Sequence, residues 1–146
     1  MPHFTFPLSA DGPIVQGLVG LNDRDSTALV RAGQPIPRPV SIRALLDTAC
    51  DRTAIAGRVA QQLGLVPLQP VQTQTAAGVI PVNQYQISLS VYGPSGASGP
   101  LLVWPDLLVT ELAVPLLNID VLIGLDVLRQ GLFLLNGPGD QFILGQ

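Results

Sequence analysis

Arg43-Ala-Leu-Leu-Asp-Thr-Ala-Cys-Asp-Arg-Thr53 is the stretch on which the reading of this chain turns. Ala44, Leu45 and Leu46 form a short apolar run of the kind that makes a buried strand. Asp47 follows at once, which puts a carboxylate at the strand's end, where it must be hydrogen-bonded or share its charge with a second group. Thr48 adds a hydroxyl, and Ala49 and Cys50 keep side-chain bulk small. Well downstream, Val121-Leu-Ile-Gly-Leu-Asp-Val-Leu128 joins a buried strand over 119–123 to a helical turn that contains Asp126, runs through Arg129 and stops at Gly131.

Working outward, the sequence predicts strands with few helices. Upstream, His3 to Leu8 reads as a first strand with Phe4 and Phe6 on one face and Thr5 on the other. Ile14 to Leu21 carries Gly17 and Gly20, the mark of a bent strand or of one passing close to other backbone. Asn22 to Pro39 gathers most of the early charges, with Gly33, Pro35, Pro37 and Pro39, and reads as an exposed loop well beyond the usual length of about four to six residues. Downstream, Ala54 to Leu63 is the clearest helix: Ile55, Val59 and Leu63 share a face, Arg58, Gln61 and Gln62 point away, Thr53 suits the N-cap and Gly64 the stop. Ala76-Ala77-Gly78 separates two β-prone arms of a hairpin. Tyr85, Ile87, Leu89 and Val91 then alternate with Gln86, Ser88 and Ser90, a strand with one buried face. Leu101 to Trp104 and Leu107 to Leu112 are strand-like around Pro105, which marks an edge or a bulge. Leu132 to Leu135 and Phe142 to Leu144 form a terminal hairpin around Asn136-Gly-Pro-Gly139.

Composition narrows the function. At 146 residues the chain is expected to be a single domain over 1–146. Charged residues make up 12% against about a quarter in average domains, which points to an extensive interface, to a deep groove, or only to a small Pro- and Gly-rich β domain. The net charge is −3 and all seven basic residues are scattered arginines, so nucleic acid is not the expected partner. One cysteine leaves no internal disulfide and no multi-cysteine metal site, and no cofactor or metal is expected. The opening Met-Pro-His-Phe-Thr-Phe does not read as a signal peptide, and no apolar run is long enough to span a membrane; a soluble, cytoplasmic protein is expected. Cys50 is a poor candidate nucleophile because the one histidine, His3, lies near the terminus and no other base is evident.

The two quoted stretches together resemble the retropepsin family of aspartic proteases, in its single-domain bacterial form. That family carries an apolar run, Asp-Thr/Ser-Gly and a small residue, then later two apolar residues and a Gly leading into a short helix. The resemblance covers the chain from about Ala10 onward. It implies an all-β retropepsin-like barrel with one short helix plus a helical turn, assembling as a homodimer. It makes Asp47 the catalytic aspartate, with Thr48 and Ala49 completing the motif and Thr48 locking the active-site loops of two copies together. Asp51 and Arg52 would meet substrate, with Ala77, Gly78 and Val79 at the tip of a flap over it. Leu122, Ile123 and Gly124 would support the catalytic loop.

The chemistry this implies is hydrolysis of peptide bonds in peptide or protein substrates by a water held between two carboxylates that share a proton. The chain has one Asp-Thr element, so each protomer would supply one Asp47 across a twofold axis. Three residues depart from the family. Ala49 stands at a position usually glycine, where a positive φ would cost about 1–3 kcal/mol. Cys50 replaces Ala or Ser, and Leu125 replaces the arginine that pairs with Asp51 in retroviral members, leaving Arg52 as the substitute partner. Ala49 is the feature that favours an alternative: a catalytically silent dimer of the same fold that binds peptides or scaffolds a partner. A small monomeric β domain is the third reading.

Overall fold

Alternation of apolar residues along the longest strands organises the computed structural model, which describes residues 2–146; Met1 of the opening hexapeptide lies outside them. Strand β1 is His3–Pro7, β2 Ile14–Gly20, β3 Val40–Leu46, β4 Ala54–Ile55, β5 Leu68–Thr75, β6 Gly78–Tyr92, β7 Leu101–Glu111, β8 Val121–Ile123, β9 Leu132–Asn136 and β10 Gln141–Gly145. Tyr85, Ile87, Leu89 and Val91 of β6 are buried, as the period-two pattern requires. They pack with Leu102, Trp104, Leu107 and Val109 of the antiparallel partner β7. Between the pairs Ile87–Leu107 and Leu89–Trp104, β7 carries two residues, Pro105 and Asp106, against one on β6. This bulge at Pro105 is where a residue without an N–H would otherwise interrupt the ladder. The extra residue keeps the buried face in phase on both sides.

The strands close on themselves. Neighbours run β2-β3-β8-β4-β7-β6, and β6 pairs back to β2, giving a six-stranded barrel with β5 attached outside β6. Closure needs Gly17, because a Cβ there would overlap the Ser90 carbonyl of β6. A second sheet, ordered β1-β10-β9, joins the two ends of the chain, with Phe6 stacked on Phe142 at 5.0 Å between ring centroids. Phe6, Phe142 and Leu144 belong to the same hydrophobic core as the barrel strands.

Helices correct the sequence reading twice. The expected loop over 22–39 contains helix α1, Asp23–Arg31. Asn22 caps it, accepting the Asp25 N–H at 2.9 Å, with Asp23 and Asp25 in the first turn and Arg31 in the last. No α1 residue is buried, and its caps and charged ends are the local marks of the helix. The expected helix over 54–63 is shorter: α2 is Gly57–Leu63, ended by Gly64 in the left-handed region. Ala54 and Ile55 are strand β4, pairing with β7 and β8, and Thr53 caps nothing. Helix α3, Leu125–Leu128, is the helical turn expected after Gly124. The fold is thus all-β with more helix than one segment and a turn. No helix among the described residues is long and apolar enough to cross a membrane.

Candidate active site

Parallel pairing of β3 with β8 sets Leu46 opposite Ile123. Asp47 therefore emerges at the strand end beside Gly124, and its N–H donates to the Ile123 carbonyl at 2.9 Å. The chain then turns tightly. The Asp47 carboxylate accepts the Ala49 N–H at 2.9 Å, and the Asp47 carbonyl accepts the Cys50 N–H at 3.1 Å. Asp47 is half-buried, while Thr48 and Ala49 are exposed.

The rest of the loop lies on the β8–α3 junction. The Leu125 N–H donates to the Cys50 carbonyl at 2.8 Å, and the Asp126 N–H to the Asp51 carbonyl at 3.2 Å. A Cβ at Gly124 would sit 2.6 Å from the Cys50 oxygen and 2.8 Å from the Arg52 carbonyl carbon, so only glycine permits this contact. Its φ is −93°, so space rather than handedness is the reason. The structure thus brings Leu122, Ile123 and Gly124 against the loop that begins at Asp47.

Two side chains that the sequence reading left out of the site close the loop. Thr53 is fully buried. Its N–H and hydroxyl both donate to the Asp126 carboxylate, at 2.9 Å and 2.8 Å to Oδ1, and its hydroxyl oxygen accepts the Gly124 N–H at 3.0 Å. Asp126 also accepts the Val127 N–H at 2.9 Å. The sequence signal was an acid at the start of a short helix, a position the helix dipole and its open N–H groups favour. With these partners both oxygens of the Asp126 carboxylate are engaged within the loop's support.

A cleft of about 800 Å³ opens beside the loop. Ala49, Cys50, Asp51 and Arg52 line one side, residues 71–75 of β5 another, and residues 110–114, Ala54, Leu116 and Leu122 the rest. Glu111 on that wall accepts the Tyr85 hydroxyl at 3.0 Å; burial and then this bond push the Tyr85 pKa up. Ala77, Gly78 and Val79 do not line the cleft. They form the turn of the β5–β6 hairpin, with Gly78 at φ +115° and the Thr75 hydroxyl donating to the Gly78 carbonyl at 2.7 Å. Another cavity, of about 500 Å³ between α1 and the segment after α2, touches none of residues 47–53.

Three expectations about the loop meet the structure here. Among the described residues Asn118 and Asp140 are the non-glycines with positive φ, so Ala49 is not in the left-handed region and carries no strain of that kind. No ion pair among the described residues joins Arg52 to Asp51, so Arg52 does not replace the arginine that Leu125 displaces. The Cys50 thiol donates to the Arg52 carbonyl at 2.7 Å. Burial first and the charge of Asp47 second push its pKa up, the bond to Arg52 opposes them, and Asp126 and Asp51 add smaller upward pushes. No group of three or more metal-ligating side chains occurs among the described residues.

A protein-family model described as aspartyl protease matches residues 30–127, a span that holds both the Asp47 loop and the β8–α3 segment under it. The chain belongs to the aspartyl protease family. Among solved structures, it is similar to a retropepsin-like aspartic protease from Rickettsia conorii, with a TM-score of 0.58 and 17% sequence identity, over 98% of this chain and 90% of that one. At that identity the likeness establishes a retropepsin-like fold. No curated protein matches the chain. Family and fold together support aspartic protease-type function.

Proposed function

We propose that this chain is an aspartic endopeptidase, a single domain over residues 1–146 that works as a homodimer with Asp47 of each copy forming the catalytic pair. The observation that carries the reading is the seating of Asp47: one carboxylate, at the end of β3, at the head of a loop fastened to β8 and α3. Two such carboxylates about 3 Å apart cannot both ionise, so they hold one proton between them. The ionised member takes a proton from a bound water, which attacks the peptide carbonyl. The protonated member stabilises the oxygen of that carbonyl, and the leaving nitrogen is protonated as the bond breaks.

The remaining residues take roles that follow from their places. Thr48 and Ala49, exposed beside Asp47, face the partner loop. Asp51 and Arg52, on the cleft side of the loop, contact the backbone of an extended peptide. Ala77, Gly78 and Val79, at the hairpin tip, close over the bound peptide as a flap. Leu122, Ile123 and Gly124 underlie the loop. The dimer reading draws support from β9, an outer strand of its sheet whose Leu132, Leu134 and Leu135 remain exposed.

The test is cleavage of a diverse peptide mixture between about pH 4 and 7, a window set by the pair's shared proton, with mass measured in solution by light scattering. The natural protein is expected to cut as a dimer, and Asp47→Asn to lose at least about a thousandfold in rate while remaining folded. A folded dimer that cuts nothing would leave the peptide-binding module, and a folded monomer would overturn both.

A further inference from the structure

We infer that Thr53 and Asp126 form a positioning pair that fixes where the Asp47 carboxylate points; the inference rests on the proposal that Asp47 carries the chemistry. The loop from Asp47 to Thr53 is tied at both ends to one short segment. Its first N–H is bound to the Ile123 carbonyl, and its last residue is bound through two donors to Asp126, three residues further along. Between these ties the Leu125 and Asp126 N–H groups bond the Cys50 and Asp51 carbonyls in the loop's middle, and the Gly124 N–H bonds the Thr53 hydroxyl at its end. Because Thr53 is buried and its carbonyl accepts the Thr110 N–H at 3.1 Å, the clamp also joins the loop to β7 of the barrel wall.

The chemistry of the two side chains is specific. The Thr53 hydroxyl has one proton, given to Asp126, and it uses a lone pair on the Gly124 N–H. Valine has the shape but neither function; serine has both. Asp126 receives the Thr53 N–H, the Thr53 O–H and the Val127 N–H, and its second oxygen also lies 3.0 Å from the Thr53 nitrogen. All of these partners are donors. A carboxylate, which only accepts, suits them; an asparagine keeps one oxygen for them and places an NH₂ group where the second oxygen lay. Neither residue lines the cleft. They act through the loop, so Thr53 and Asp126 are positioning residues and not catalytic ones.

The experiment combines amide hydrogen exchange with steady-state kinetics on the full-length protein, comparing the natural sequence with Thr53→Val, Thr53→Ser, Asp126→Ala and Asp126→Asn. Thr53→Val and Asp126→Ala are expected to speed exchange at residues 47–53 by about tenfold or more, with the β6–β7 amides unchanged. kcat is expected to fall by about ten- to a hundredfold with KM within about threefold, since the carboxylates are misplaced while the cleft is intact. Thr53→Ser is expected to restore both, and Asp126→Asn to fall between. Loop exchange and kcat at natural values in Thr53→Val would overturn the inference. So would faster exchange spread equally over β6–β7, which is the mark of a merely structural role. If Thr53→Val does not fold, Asp126→Asn decides: intermediate loop exchange supports the pair and natural exchange sinks it. If the natural protein cleaves nothing, the protease proposal fails, and exchange still decides the clamp.

Discussion

The loop over 47–53 and the β5–β6 hairpin meet one cleft, through residues 49–52 and 71–75, and are held in opposite ways. The loop has bonds to Ile123, Leu125, Asp126 and Gly124, with a buried threonine at its end. The hairpin has its own ladder. β5 pairs with β6 and with no other strand, contains no buried residue, and shifts register between Leu68 and Val71. Val82 is the first buried residue along β6. Local stability follows such differences, since segments with few buried contacts open at low free energy. A site for acid–base chemistry needs the first kind of support. A cover that admits and releases a chain needs the second.

The largest expected effect comes from removing the space under the loop. Gly124→Ala places a methyl against the Cys50 and Arg52 backbone, neither of which is the movable end of a side chain. We expect a loss of about 1–3 kcal/mol, read from urea unfolding. Cleavage should fall by more than global stability explains, because the displaced loop carries Asp47. Natural stability in this variant would mean that the loop is far looser than the bond pattern implies. Gly78→Ala probes the hairpin. A Cβ there meets nothing within 4 Å, so the cost is that of placing alanine at φ +115°, about 1 kcal/mol. Faster hydrogen exchange should appear over 72–82 and leave 47–53 unchanged; faster exchange in both would mean that the hairpin and the loop open together.

The Cys50 thiol reports on the loop without requiring cleavage. Its pKa is raised by burial first and by Asp47 second, so iodoacetamide should modify it slowly near neutral pH and speed up only above the ordinary thiol range. Asp47→Asn removes a negative neighbour, lowers the thiol pKa and is expected to speed modification at a fixed pH by a few-fold. The sign carries into stability. The folded thiol ionises at higher pH than the unfolded one, so its contribution is complete below the unfolded pKa and is lost as pH rises through the folded value. An Asp47→Asn variant modified more slowly than the natural protein would contradict the placement of the two side chains.

Much of this architecture was legible because it rests on short-range pattern. Alternation exposed β6, Pro105 marked the β7 bulge, and Asn136 to Gly139 marked the last hairpin. Leu122-Ile123-Gly124 was legible as a unit, and in the structure the Ile123 carbonyl accepts the Asp47 N–H while Gly124 abuts Cys50 and Arg52. What pattern did not reveal depends on partners far apart in sequence. Thr53 before a helical period looks like an N-cap, yet its partners are Gly124 and Asp126, about seventy positions away. Ala54 and Ile55 fit the helical period and are a strand because β7 and β8 bracket them. Helix α1 buries nothing, and the prolines and glycine after it made the whole of 22–39 read as loop. Tertiary pairing outweighs local propensity at all of these points.

Ala49 gives the smallest expected effect and the sharpest use of the comparison. By resemblance the position belongs to glycine, and Ala49→Gly ought then to relieve strain and stabilise the protein. The structure gives Ala49 no positive φ and an exposed side chain, while its N–H is already bonded to Asp47. Glycine would therefore relieve nothing and would add freedom to the unfolded chain, for a loss of about 0.5–1 kcal/mol. Stability read from urea unfolding should fall by that amount, and the rate of peptide cleavage should change by less than about threefold, or about 0.6 kcal/mol in barrier. A gain in stability would show that the loop is strained in a way its dihedral angles do not reveal. A large gain in rate at unchanged stability would place the constraint outside the single chain, at the contact between copies that the proposed dimer requires.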